Sequence, residues 1–164
     1  MKKPSQHLPQ LNLPPVTPSI SVTDDGILSI FDPLRNKAVA LTPEEWVRQH
    51  FVGWLTGHLG YPASFVVNEL GLKVNGRQRR ADTVVFDTHL HELMVVEYKR
   101  PSVEITQKVF DQIVRYNMTF VAPYVAVSNG LRHFCCRINF ANHTYTFLKQ
   151  FPRYDDLISP DENI

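Results

Sequence analysis

The chain has 164 residues, 43% apolar and 20% charged, which fits one globular domain with its own core. No apolar run approaches the ~18 residues of a membrane span, and Met1-Lys2-Lys3-Pro4 opens no signal-peptide stretch. A net charge of +1 excludes a protein that coats nucleic acid non-specifically. The only cysteines, Cys135 and Cys136, are adjacent and make neither a disulfide framework nor a zinc site. A reducing cytoplasm is the expected compartment.

Residues 1–19 hold five of the twelve prolines and read as an extended arm. A hairpin follows, Ile20 to Val22 and Ile27 to Phe31 around the turn Thr23-Asp24-Asp25-Gly26. After the turn Asp32 to Asn36, a short apolar run, Ala38 to Leu41, completes an amino-terminal segment of residues 1–41. Thr42-Pro43-Glu44-Glu45 then offers an N-cap, a proline at the first helical position and a capping-box glutamate. This first helix should run to about Leu59, before Gly60 and Pro62, with Val47, Phe51, Trp54, Leu55 and His58 as its apolar stripe. At ~100° per residue, Glu44 falls within that arc and Glu45 outside it, so Glu44 is expected to face the protein body.

Three strands are expected next, Ser64 to Val74, Arg79 to Asp87 and Glu92 to Tyr98, the first two joined by an Asn75-Gly76 turn. A second helix, from about Ile105 to Val121, carries Val109, Ile113, Tyr116 and Phe120 on one face. Strands Tyr124 to Ser128, Leu131 to Ile138 and His143 to Leu148 complete a domain of residues 42–150, and 151–164 read as a tail. The core order is α-β-β-β-α-β, an α/β architecture with a mixed sheet on which the two helices pack.

Chemistry concentrates on Asp82, Glu97 and Lys99. Strand side chains alternate between faces, so Glu97 and Lys99 point the same way. A four-residue loop, Thr88 to His91, pairs Asp87 with Glu92 and sets Asp82 directly opposite Glu97. Two carboxylates so placed repel each other, and a divalent cation turns that repulsion into coordination. The neighbouring residues Val84, Val85, Phe86, Val95 and Val96 are apolar on both faces, as in central strands. Between positions 73 and 115 lie Lys73, Arg77, Arg79, Arg80, Lys99, Arg100, Lys108 and Arg115, enough local charge to hold phosphates. Other candidates are weaker: His89 and His91 lie in a turn, His133 and Cys135 on a packed strand. No phosphate-binding glycine loop occurs, and Ser128 lacks the strand–serine–helix context of a nucleophile.

Five short motifs recur in one order: Glu44 to Gln49, Leu59 to Pro62, Arg79 to Asp82, Glu97 to Pro101 and Gln112 to Tyr116. Together they resemble the amino-terminal nuclease domain of type I restriction enzyme R subunits, in a short form without motor domains. That domain belongs to the PD-(D/E)xK nuclease superfamily. Ala81 stands where the superfamily pattern has proline. The resemblance implies a Mg²⁺- or Mn²⁺-dependent nuclease acting on DNA. Asp82 and Glu97 would be metal ligands with the Tyr98 carbonyl, Lys99 would be catalytic, and Glu44 would complete the acidic cluster. Gln112 and Tyr116 would position the lysine or DNA. The local basic charge, apart from the resemblance, makes Arg77, Arg79, Arg80, Arg100 and Arg115 the expected phosphate contacts. A binding or assembly module that has lost catalysis is the alternative. Oligomeric state is left open, a homodimer included.

Overall fold

Asn75 and Gly76, both at positive φ, make the tight turn that pairs β4 (Val66–Val74) with β5 (Arg77–Phe86), as their Asn-Gly sequence requires. In this computed structural model, which describes residues 8–159, those strands begin a six-stranded sheet. It continues through β6 (Glu92–Tyr98), β7 (Tyr124–Ser128), β8 (His133–Asn139) and β9 (Thr144–Phe147) in chain order. All neighbours are antiparallel except β6 and β7, which run parallel because a helical crossover separates them.

Two helices sandwich the sheet. On one face, α1 (Pro43–His58) packs Val47, Phe51 and Leu55 against Met94, Val96 and Tyr98. On the other, α2 (Gln107–Asn117) packs Phe110, Ile113 and Val114 against Val125, Val127 and Cys136. Thr42 caps α1 as expected, its hydroxyl accepting from the Glu45 N–H at 3.0 Å. The reciprocal half of the capping box is missing: the Thr42 N–H donates to Ala40 O, and the Glu45 side chain is engaged elsewhere. The second helix is shorter than expected, and a single 3₁₀ turn (Met118–Phe120) follows it.

The β5–β6 hairpin departs from the expected turn. Phe86, not Asp87, pairs with Glu92, and the Asp87 N–H donates to His91 O at 2.9 Å. A bulge then leaves Leu93 unpaired, because Val85 faces Met94 while Phe86 faces Glu92. Beyond it Thr83 faces Val96, so one further step brings Asp82 opposite Glu97. Two departures of one residue cancel before the acidic pair is reached.

Both chain ends are woven into the body. The amino-terminal hairpin gains a third strand, giving a sheet of β1 (Ile20–Val22), β2 (Leu28–Asp32) and β3 (Lys37–Ala40). Ahead of it, the arm lies over α1 and the β7–β8 turn: Trp46 Nε1 donates to Pro9 O, and the Asn12 N–H to Gly130 O. The stretch read as a tail forms α3 (Tyr154–Ile158), whose Tyr154 and Leu157 are buried in the main core. Residues 1–7 of the arm and 160–164 of the tail lie outside the described residues.

Candidate active site

The sheet splays where β5 and β6 stop pairing, and side chains take over its hydrogen bonds there. Asp82 Oδ2 accepts from the Tyr98 N–H at 2.9 Å, a donor that a regular ladder would give to a backbone carbonyl. Asp82 is thereby tied to the strand that carries Glu97, with Lys99 just past its end. Lys99 Nζ stands 3.9 Å from Glu97 Oε1. Glu97 and Lys99 line a hollow of about 260 Å³ together with Val109, Gln112, Ile113, Tyr116 and Asn117 of α2. The structure therefore brings Asp82, Glu97, Lys99, Gln112 and Tyr116 to one place.

The electrostatics follow from crowding. Burial pushes the Glu97 carboxyl up to about 7, the Asp82 charge pushes in the same direction, and Lys99 opposes them. Burial also raises Asp82, against the Tyr98 N–H and the Arg48 guanidinium. Two facing carboxyls that are both raised form a pair lacking a full counter-charge. Hard oxygen donors with spare negative charge suit Mg²⁺ or Mn²⁺. Among the described residues no group of three or more His, Cys, Asp or Glu is arranged for a metal. Mg²⁺ needs no such group, since it is commonly held by one or two carboxylates, water and substrate phosphate. The residues fit the ion.

Glu44 is a correction. Glu45 is the buried glutamate of the pair, with Arg35 Nη2 at 2.5 Å and Gln49 Nε2 at 2.8 Å. Glu44 is half-buried, and no ion pair of it occurs among the described residues. The inward arc of α1 is wider than its apolar stripe, because Arg48, Gln49 and Glu45 are buried through mutual pairing rather than hydrophobicity. Tyr116 is a smaller correction: it is 41% exposed at the mouth of the hollow, and Phe110 takes the core position. Of the arginines, Arg79 stacks its guanidinium over Tyr116 at 4.8 Å, and Arg80 Nε pairs with Glu69 Oε2 at 2.6 Å. Arg77, Arg100 and Arg115 are exposed.

Two residues at the site escape a reading based on apolar pattern. Arg48 Nη2 lies 2.5 Å from Glu69 Oε1 and 4.0 Å from Asp82 Oδ1. Glu69 sits opposite Asp82 in the β4–β5 register, at φ 57°, a left-handed break between the pairs Asn68–Thr83 and Leu70–Ala81. Counting back from Asn75-Gly76 would have placed Glu69 beside Asp82. Arg48 announces itself only as a charged residue next to the stripe.

The fold is a mixed sheet flanked by helices, with Asp82, Glu97 and Lys99 brought together at one strand end. The profile of the family described as "Type I restriction enzyme R protein N terminus" matches residues 43–152, and the chain belongs to that family. A solved fragment described as an HsdR subunit of a type I restriction enzyme from Vibrio vulnificus is similar in fold, with a TM-score of 0.51 at 19% identity. The similarity covers 72% of this chain and 25% of that one, so the chain corresponds to about a quarter of that relative's length. No curated protein matches the chain.

Proposed function

We propose that the chain is a Mg²⁺- or Mn²⁺-dependent nuclease of the PD-(D/E)xK type that hydrolyses phosphodiester bonds in DNA. One observation carries the reading: Asp82 and Glu97 face each other with raised pKa values, and Lys99 stands 3.9 Å from Glu97 at the mouth of a hollow. A competing role as a purely structural pair is disfavoured, because two carboxyls facing each other weaken the fold unless something is gained by keeping them.

Asp82 and Glu97 would hold the metal, with the Tyr98 carbonyl as a further oxygen. The ion supplies Lewis-acid polarisation and a water of lowered pKa. Everything else falls to side chains. The Lys99 ammonium is placed to stabilise negative charge developing at the phosphate. Tyr98 contributes through its backbone N–H, which fixes the Asp82 carboxylate. Gln112 and Tyr116 border the hollow that a nucleotide would enter, and Arg79, stacked on Tyr116, brings a positive charge to its rim. Arg77, Arg100 and Arg115 supply exposed positive charge for the backbone phosphates.

The test is incubation with single-stranded and duplex DNA in Mg²⁺, Mn²⁺ or chelator, alongside Asp82→Asn. Cleavage that needs the metal and disappears in the variant is expected. The wild-type melting temperature should rise with Mn²⁺, since a ligand of the folded state alone stabilises it. Asp82→Asn should lose that rise while melting higher without metal. DNA binding without cleavage under every metal would leave a binding module instead.

A further inference from the structure

Arg48 is a buried charged side chain that meets carboxylates from three elements. It is 5% exposed, its Nε and Nη1 have no hydrogen-bond partner, and its guanidinium lies 5.7 Å from the centre of the Tyr98 ring. Burying a guanidinium with two nitrogens unsatisfied is unfavourable unless negative charge surrounds it. Here that charge comes from three elements: Glu45 of α1 at 3.7 Å, Glu69 of β4 at 2.5 Å and Asp82 of β5 at 4.0 Å. Glu45 is held in turn by Arg35, which also pairs with Asp32 at the end of β2. Glu69 is held on its other side by Arg80. Charges alternate in sign from the amino-terminal sheet to the acidic pair, and Arg48 is the link that touches Asp82.

We propose that Arg48 is the resident counter-ion of the acidic pair, and that it sets how weakly or tightly Asp82 and Glu97 take a divalent cation. This rests on the metal-dependent reading above. Orientation of Asp82 does not need Arg48, because the Tyr98 N–H already fixes that carboxylate at 2.9 Å. What Arg48 adds is charge. A buried positive charge 4.0 Å from a ligand oxygen opposes an incoming cation, by about tenfold in affinity even where the surroundings screen almost as well as water. Glu69 moderates this by drawing the guanidinium to itself at 2.5 Å. Its left-handed backbone, opposite Asp82, puts a carboxylate within reach of both Arg48 and Arg80. Arg48 is a positioning residue in this scheme, acting on the site through Asp82.

Calorimetric titration of the whole protein with Mn²⁺, without DNA, tests the inference. Arg48→Gln should bind Mn²⁺ about tenfold more tightly than wild type. Arg48→Lys, which keeps the charge, should stay close to wild type. Glu69→Gln should bind several-fold more weakly, because Arg48 then loses its nearest carboxylate and only Glu45 and Asp82 share its charge. A purely structural arginine would move melting temperatures and leave these affinities alone. Unchanged affinity in Arg48→Gln, with binding still abolished in Asp82→Asn, overturns the role of Arg48 and leaves the metal site standing. If Arg48→Gln does not fold, Glu69→Gln decides, and wild-type affinity there overturns the proposal. Mn²⁺ binding that survives Asp82→Asn, or is absent from wild type and Arg48→Gln alike, refutes the metal site and the inference with it.

Discussion

Lys99 stands beside Glu97 just past the end of β6, whereas Arg77 lies exposed beyond the Asn75-Gly76 turn, and this difference in place should appear as a difference in kinetics. A charge that acts in the transition state changes turnover; one that holds a remote phosphate changes binding. Lys99→Met is expected to lower the cleavage rate by on the order of 100-fold while leaving DNA affinity nearly unchanged. Arg77→Ala should weaken binding and reduce the salt dependence by about one phosphate contact. Single-turnover rates and binding isotherms at two salt concentrations separate the two. At the start of α1 the same logic divides neighbours. Glu45→Ala leaves Arg35 and Arg48 short of a buried partner and should cost about 3 kcal/mol in urea unfolding. Glu44→Ala should fall within about 0.5 kcal/mol of wild type.

The three-stranded amino-terminal sheet is joined to the strands of the site by hydrogen bonds that start at one carboxylate. Asp32 is fully buried at the end of β2 and accepts from Asn68 Nδ2 at 3.0 Å. Thr83 donates to Asn68 at 2.7 Å, and the Tyr98 hydroxyl donates to Thr83 at 2.9 Å. Burial raises the Asp32 carboxyl, but hydrogen bonds from Asn68, Arg35 and Leu34 outweigh it and hold it below its ordinary 3.8. A folded-state value below the unfolded one means that the unfolded chain binds more protons between the two. The stability Asp32 contributes is therefore present above pH 3.8 and is lost as pH falls through the lower, folded value. Asp32→Asn should lower stability at neutral pH by about 2 kcal/mol and flatten the acid limb of the unfolding curve. Thermal melts across pH 2.5 to 7 check both (a range chosen around the ordinary carboxylate value).

Across the whole molecule, the carboxyl-terminal helix belongs to the main core. Tyr154 packs against Tyr61 and Phe65, and its hydroxyl donates to Phe86 O at 3.1 Å. Tyr61 donates to Pro152 O at 3.0 Å. A chain ending at residue 150 should lose several kcal/mol of stability, since it uncovers Tyr61 and removes Tyr154 and Leu157 from the core. Denaturant unfolding followed by circular dichroism measures this directly.

The sequence by itself determined the elements whose signals are local. Thr42 and Pro43 start α1, Asn75-Gly76 turns β4 into β5, and the doubly apolar strands β5 and β6 run through the centre of the sheet. It also placed Asp82 across from Glu97, although through a turn that does not form as counted; the bulge at Leu93 restored the register. Tertiary structure alone decided which polar residues turn inward. Glu45 and Arg48 are buried because each finds opposite charge beyond α1, on Arg35 and Glu69, and Asp32 because Arg35 and Asn68 of β4 both reach it; pairing between elements leaves no periodic trace in the chain. The same holds for α3: a single turn and a half, bounded by polar residues, reads as a tail until the surface that receives Tyr154 and Leu157 has been assembled. Hydrophobic period reports contact with apolar surface; charge pairing and docking depend on partners that only folding brings within reach.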